Sequence, residues 1–206
     1  MAPSSWVSLA QKLQSIAQTG LAYARDPYDR ERYEELARIG ASMLAGPELQ
    51  RLEIAEELFA RERGYATPKV DVRGAVIQEG KLLLVRESED HCWTLPGGWA
   101  DVGLSPAQSV EKEVREEAGL IVKTRRLIAV WDRNKHPHPP HLFHIYKLVF
   151  QCDVLGGSPE AQGETTGVGF FREDEIPPLS LTRILPAQIR YVFEHARHPE
   201  WATVFD

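Results

Sequence analysis

Three glutamates have types and spacing that could bind a metal ion. Glu113, Glu116 and Glu117 stand at positions i, i+3 and i+4, so on a helix their carboxylates share one face. Like charges packed this closely repel one another unless a cation joins them. Carboxylate oxygens suit Mg²⁺ or Mn²⁺, which keep waters and take substrate phosphates as further ligands. The pattern therefore predicts a divalent-cation site that works on a phosphorylated substrate.

The neighbouring residues predict the helix that must carry these glutamates. Ser105 is a favoured N-cap, Pro106 suits the first helical position, and Gln108 completes a capping box. Gly119 stands where a helix takes its left-handed C-terminal residue. The preceding glycines, Gly97-Gly98, let backbone come close to phosphates. We therefore expect a glycine-rich loop followed by a helix.

The wider chain has two regions with different hydrophobic patterns. The first 66 residues predict three helices, with breaks at Asp26-Pro27 and Gly46-Pro47. After residues 64–68 the pattern alternates, and it predicts a hairpin over 70–86. Further elements are predicted as strands over 127–131, 142–153 and 167–171 and as helices over 105–118 and 181–196. A mixed sheet packed by helices follows, which makes the fold class α/β or α+β.

Composition excludes several classes of protein. Lys and Arg number 24 against 30 for Asp and Glu, and a net charge of −6 argues against general binding to nucleic acid. Cys92 and Cys152 are too few for a disulfide framework and predict buried thiols in a reducing compartment. No apolar run approaches the roughly 20 residues that span a bilayer, and no signal peptide is evident. We therefore expect a soluble cytoplasmic protein without a membrane partner.

The stretch from Gly97 to Leu120 resembles the Nudix box. The family pattern is Gly, five residues, Glu, seven residues, Arg-Glu, an aliphatic residue, one residue, Glu-Glu, one residue, Gly and an aliphatic residue. The matching positions are Gly98, Glu113, Val114, Glu116, Glu117, Gly119 and Leu120. Two positions depart from it, because Leu104 replaces the first Glu and Lys112 replaces the Arg. Lys112 keeps the charge that orients a carboxylate, whereas Leu104 can neither bind metal nor take a proton.

The resemblance covers nearly the whole chain and is to a Nudix subfamily with an N-terminal helical domain. Its matching segments are residues 14–21, 26–29, 32–36, 64–71, 95–103, 170–171 and 179–180. It implies a small all-α domain over 1–66, a Nudix α/β/α sandwich with a mixed sheet over 67–206, and a homodimer. It also implies Mg²⁺ or Mn²⁺ as cofactor, held by Glu113, Glu116, Glu117 and the carbonyl of Gly97.

Members of this subfamily hydrolyse nucleoside diphosphates linked to another group, X, which yields a nucleoside monophosphate and phosphorylated X. CDP-choline pyrophosphatases belong to it, so a small nucleotide is the expected partner and CDP-choline the expected substrate, with ADP-ribose as the alternative. A choline cation needs an aromatic face, which Trp93, Trp99 or Trp131 could supply. Of these, Trp99 is the predicted substrate-binding residue.

Three further residues are predicted to bind substrate. Arg73 could clamp a phosphate through its two-pronged guanidinium, or could form an ordinary surface ion pair with Asp71. Lys135 and His136 lie in a proline-rich segment, residues 131–141, that we expect to cover the active site and to contact phosphate or base. The histidines of this segment match no standard zinc spacing, so a zinc site is not expected.

The resemblance also indicates where the general base lies, a role that Leu104 cannot serve. Nudix enzymes often take their base from a late loop, and Glu164 matches a Glu-Thr of the subfamily; the other reading is a solvated loop acid. The predicted catalytic residues are thus Glu116, Glu117 and Glu164. A non-catalytic nucleotide sensor is the rival class, which Leu104 and Lys112 favour and the three intact glutamates oppose.

Overall fold

A computed structural model describes residues 5–45 and 49–206, and the chain divides into two compact units. One unit comprises residues 1–69 and 139–144, and the other comprises residues 70–138 and 145–206. The predicted break at Gly46-Pro47 lies outside the described residues. None of the described helices is both long and apolar enough to cross a membrane.

The first unit contains the three predicted helices, α1 (Ser5–Tyr23), α2 (Pro27–Ala45) and α3 (Leu49–Arg61). Asp26 starts α2, because its Oδ1 accepts hydrogen bonds from the backbone N–H groups of Tyr28 and Asp29, at 2.8 and 3.1 Å. Segment 139–144 belongs to this unit, where Phe143 meets Phe59 edge to face. Residues 139–141, the end of the proline-rich segment, thus belong to the helical unit.

The second unit is built on a mixed sheet, as predicted. Its strands are β1 (Lys69–Gln78), β2 (Lys81–Glu87), β3 (Trp93–Thr94), β4 (Leu120–Asp132), β5 (Ile145–Gly157), β6 (Thr165–Phe171) and β7 (Val204–Phe205). They run in the order β3-β2-β1-β5-β4-β7, with β6 paired to β2. The β4–β7 pair is parallel, whereas β2 pairs antiparallel with β1, β3 and β6.

Helices cover both faces of this sheet. Helix α4 (Pro106–Ala118) and helix α5 (Pro186–Arg197) contribute to two different buried clusters. Along β2, Leu82 and Leu84 join the cluster of α5, whereas Leu83 and Val85 join that of α4. A strand buried on both faces reads as a continuous apolar run, which explains the sequence of β2. The layering confirms the predicted α/β class.

Several element boundaries differ from the prediction. Strand β4 begins at Leu120, because its antiparallel pairing with β5 continues to Gly157. Helix α5 begins at Pro186 instead of residue 181, since a residue before proline is disfavoured in helical conformation and Leu185 is extended. Strands β3 and β7 have two residues each, too few to show a periodicity. Cys152 is buried as predicted, but Cys92 is only partly buried.

Candidate active site

The glycine-rich loop before α4 is held along β1 by its backbone. Three hydrogen bonds of 2.8–2.9 Å run from Gly74 N to Pro96 O, from Val72 N to Gly98 O, and from Ala100 N to Val70 O. Gly97 has a φ of 140°, and a Cβ there would lie 2.0 Å from the carbonyl oxygen of Val72. Only glycine fits so close an approach, so the loop has a fixed position over the strand.

Helix α4 begins and ends as the sequence predicts. The Ser105 hydroxyl accepts from the Gln108 N–H, and the Gln108 side chain accepts from the Ser105 N–H. Gly119 is left-handed, with a φ of 70°, and its N–H bonds to the carbonyl of Arg115. The helix buries Ser109, Val110, Val114 and Ala118. This burial fixes the rotation of the helix and therefore where its glutamates point.

Glu117 and Glu113 face the glycine-rich loop. Glu117 Oε2 accepts a 2.8 Å hydrogen bond from the Gly97 N–H, and a Cβ on Gly98 would lie 3.5 Å from Glu113 Oε2. Burial raises the pKa of Glu117 to about 7, although Arg73 and the Gly97 N–H act to lower it. Burial also raises the pKa of Glu113. A nearby cation would therefore stabilise the charged form of both carboxylates.

Glu116 has a different environment, because it is half exposed and pairs with a lysine. Lys112 Nζ lies 3.1 Å from Glu116 Oε2 and 2.9 Å from Asp101 Oδ2. Hydrogen bonds to Asp101 and Glu116 raise the pKa of Lys112, which stays charged. Lys112 therefore contacts a carboxylate of the helix and one of the loop.

The chemistry of these groups fits a divalent cation, although they form no closed cage. Within residues 5–45 and 49–206, no three acidic, histidine or cysteine side chains converge as a ready set of metal ligands. Mg²⁺ needs no such cage, since it binds through one or two carboxylates and completes its shell with waters and phosphates. Glu113, Glu116, Glu117 and the Gly97 carbonyl can supply oxygen donors of this kind.

Arg73 belongs to a buried ion cluster next to this site. Its Nε and Nη2 donate to the two oxygens of Asp71, at 2.7 and 3.0 Å, and its Nη1 donates to the Leu95 carbonyl at 3.0 Å. Lys147 Nζ also donates to Asp71, at 2.9 Å. The pair is therefore buried and not the surface pair considered above. It holds the start of the glycine-rich loop, while the charges of Arg73 and Glu117 act on each other.

The three groups of this cluster shift one another's pKa. Burial alone would raise the pKa of Asp71, but Arg73 and Lys147 outweigh burial and lower it to about 2. Burial lowers the pKa of Lys147 to about 8, against the attraction of Asp71. Asp71 is therefore the carboxylate that pairs directly with both buried cations.

The late loop that carries Glu164 docks on the C-terminal end of α4. Thr165 Oγ1 donates to the Glu117 carbonyl at 2.8 Å, and the Gln162 N–H bonds to the same oxygen at 3.4 Å. A Cβ on Gly163 would lie 3.6 Å from the carbonyl oxygen of Glu116. The exposed Glu164 thus lies between Gln162 and Thr165, which both bond to the Glu117 carbonyl.

Glu87 is a buried acid that the sequence analysis missed. It ends β2, and its carboxylate lies 3.0 Å from Arg183 Nε. Burial raises its pKa, Arg183 and Arg73 lower it, and Asp90 and Glu164 raise it further. Its charge also acts on Glu117. The available signal was an acidic residue shortly after the apolar run Leu82 to Val85.

The remaining residues predicted to bind substrate differ in their exposure and in their contacts. Trp99 is 49% exposed beside the loop, whereas Trp131 is buried and Trp93 packs edge to face on Phe171. Lys135 is exposed and ends a short 3-10 helix. His136 Nε2 lies 3.0 Å from Asp206 Oδ2, so the structure pairs it with the C-terminal residue.

Comparison with known proteins decides the family. A family profile described as a NUDIX domain matches residues 68–193. The chain belongs to the Nudix family. A second profile, described as a UDP-X-like N-terminal oligomerisation domain, matches residues 4–59. The predicted Nudix subfamily with an N-terminal helical domain is thereby confirmed.

Relatives extend over the full length of this Nudix hydrolase. A Bacillus subtilis protein named "Putative ADP-ribose pyrophosphatase YjhB" is 47% identical, over 98% of each chain. A solved structure of UDP-X diphosphatase is 34% identical over the whole of both chains, with a TM-score of 0.64. An ADP-ribose pyrophosphatase structure from Streptococcus suis is 43% identical, with a TM-score of 0.62, and covers 68% of this chain and all of its own.

Proposed function

We propose that this Nudix hydrolase cleaves the pyrophosphate bond of a nucleoside diphosphate linked to another group, in a reaction that needs Mg²⁺ or Mn²⁺. The observation that carries the proposal is the placement of Glu113 and Glu117 against the Gly97-Gly98 backbone, with a raised pKa at both carboxyls. A bound divalent cation that also carries a substrate phosphate would stabilise both carboxylates in their charged form. The three intact glutamates also count against the alternative of a nucleotide sensor without activity.

The proposed ligands are Glu113, Glu116, Glu117 and the carbonyl of Gly97. Divalent cations there would neutralise the diphosphate and lower the pKa of the attacking water. The protein's part is to hold the ligands in place: β1 fixes the loop, and the capped helix α4 fixes the glutamates. Arg73 adds a fixed positive charge next to Glu117 and anchors the Leu95 carbonyl at the start of the loop.

Glu164 is the proposed general base, which would take a proton from the attacking water. Its loop is anchored on the Glu117 carbonyl through Thr165, and its charge and that of the buried Glu87 act on each other. An exposed loop acid can move toward a substrate, and catalytic hydrogen bonds often tighten only when substrate binds. Water would then attack one phosphorus, and the products would be a nucleoside monophosphate and phosphorylated X.

ADP-ribose is the substrate that the relatives favour, because two of them carry ADP-ribose pyrophosphatase in their names. CDP-choline, which the sequence analysis placed first, stays a prediction. Its structural support is that Trp99 is 49% exposed, whereas Trp131 is buried and Trp93 packs on Phe171. A cation–π contact with choline would contribute about 0.5–2 kcal/mol.

We further propose that residues 1–66 mediate self-association, as a homodimer, and that residues 67–206 form the catalytic domain. The N-terminal family profile describes an oligomerisation domain. Trp6, Leu9 and Ile16 are 40–54% exposed and lie near one face of α1. Exposed apolar side chains at helical spacing are typical of a surface that another chain covers.

A substrate panel tests the activity. ADP-ribose, CDP-choline, a UDP-sugar and nucleoside triphosphates would be incubated with Mg²⁺, with Mn²⁺ and with EDTA, and the nucleoside monophosphate measured by chromatography. The proposal expects metal-dependent monophosphate from a diphosphate-linked nucleotide, at a higher kcat/KM than for any triphosphate. Tight nucleotide binding without turnover of any panel member would favour the sensor instead.

A further inference from the structure

Asp101 occupies a place in the site that the family pattern does not predict. Leu104 replaces the Glu of the pattern, so one carboxylate is missing from its own position. Asp101 lies three residues earlier, and its Oδ2 is 2.9 Å from Lys112 Nζ. The same ammonium lies 3.1 Å from Glu116 Oε2. Lys112 therefore bridges a loop carboxylate and a carboxylate of the box.

Because of the position of Asp101 in the loop, this bridge connects the loop to helix α4. The preceding residue, Ala100, makes the last of the three backbone bonds to β1. The Leu104 N–H then turns back to the Asp101 carbonyl at 3.3 Å, and the N-cap Ser105 follows. Asp101 thus marks the point where the chain leaves β1 and turns into α4. A contact from there to Lys112 ties the turn to the body of the helix.

We propose that Asp101 supplies the carboxylate that Leu104 lacks, and that the Asp101–Lys112 pair is a positioning element for Glu116. The inference rests on the proposed function of α4. Lys112 and Glu116 are four residues apart on one helix face. With Asp101 present, the ammonium is shared between two carboxylates. Without Asp101 the Lys112 ammonium would pair with Glu116 alone and would neutralise the carboxylate charge that binds a metal ion.

The pair is too exposed to matter much for stability. The side chains of Lys112, Asp101 and Glu116 are 35%, 48% and 49% exposed, and exposed ion pairs contribute little to folding. A positioning role therefore predicts a loss of metal affinity and turnover without a fall in melting temperature. An ordinary surface ion pair with no positioning role predicts no loss of metal affinity and no loss of turnover.

Single and paired substitutions test the bridge. Asp101→Asn, Lys112→Met and the double variant would be compared by Mn²⁺ affinity from electron paramagnetic resonance, by kcat and KM for ADP-ribose, and by melting temperature. Asp101→Asn should weaken Mn²⁺ affinity and kcat by about tenfold, the scale for residues that orient metal ligands. In the Lys112→Met background it should have no further effect. Asp153→Asn is the matched control, because Asp153 is 54% exposed and 3.9 Å from an arginine.

A rescue variant separates this role from general damage. Leu104 and Lys112 line the same cavity, so we expect a glutamate at position 104 to lie near the ammonium. Adding Leu104→Glu to Asp101→Asn should restore Mn²⁺ affinity to within about threefold of wild type. The proposal is overturned if Asp101→Asn matches Asp153→Asn, if its effect multiplies with that of Lys112→Met, or if Leu104→Glu restores nothing. If wild type turns over no nucleotide, the proposed function fails, and the Mn²⁺ affinities still decide the role of Asp101.

Discussion

Replacing Asp71 by asparagine tests the buried ion cluster that holds the loop. The Asp71 carboxylate accepts hydrogen bonds from Arg73 and from Lys147, whose side chains are 3% and 2% exposed. Asparagine keeps the size of the side chain but removes its charge, which leaves two buried cations without the carboxylate that pairs with both of them. Removing one partner of a buried ion pair costs about 3–5 kcal/mol. We expect Asp71→Asn to lower the free energy of unfolding by this amount.

Urea unfolding followed by tryptophan fluorescence measures this loss, because Trp131 is buried in the same unit. The midpoint should fall while the slope stays unchanged, since the surface exposed on unfolding is the same. Glu173→Gln is the control: Glu173 pairs with Arg197 at the surface, and its loss should cost less than about 1 kcal/mol. A loss for Asp71→Asn no larger than that of the control would refute the argument.

The same cluster predicts a dependence of stability on pH. The pKa of Lys147 is about 8 in the folded protein and near 10.4 when unfolded, so between these values the unfolded state binds more protons. Stability should therefore rise from pH 8 to pH 10, and Lys147→Met should reduce that rise. The pKa of Asp71 is about 2, below its unfolded value near 3.9, so its contribution is complete above pH 4 and is lost as pH falls through 2.

Three further predictions concern the site and the helical unit. Glu116→Gln should lower kcat by about 100-fold or more, because it removes a charge that acts in the transition state. The melting temperature in EDTA should stay the same or rise, since repulsion between the glutamates is reduced. A variant with wild-type kcat would exclude Glu116 as a ligand. Glu164→Gln should lower kcat by about 100-fold with little change in KM, and an unchanged kcat would exclude it as the base. Leu9→Glu combined with Ile16→Glu should reduce the molecular mass of the particle measured by light scattering, since it places charges on the exposed face of α1. An unchanged molecular mass would exclude this face from the proposed dimer interface.

The sequence predicted what depends on local chemistry. The capping box at Ser105 and the left-handed Gly119 fix the ends of α4 through interactions within a few residues, and both are confirmed. The apolar run of β2 is a similar case, because burial on both faces leaves its mark on successive residues.

Contacts between distant residues could not be predicted in this way. Lys147 lies 76 residues from Asp71, and no periodicity indicates that a strand lysine is buried against that carboxylate. The sequence predicts a loop over the active site for residues 131–141 and a strand from residue 142, but residues 139–144 belong to the helical unit, where Phe143 packs on Phe59. Asp101 was passed over because the family pattern gives its position no role.

The most direct test of the account is the rate of AMP formation from ADP-ribose as free Mg²⁺ is varied. If the glutamates of α4 hold a catalytic cation, the rate in EDTA should be negligible and should rise to saturation with Mg²⁺, with AMP and ribose 5-phosphate formed in equal amounts. Turnover in EDTA equal to that in saturating Mg²⁺ would contradict the account.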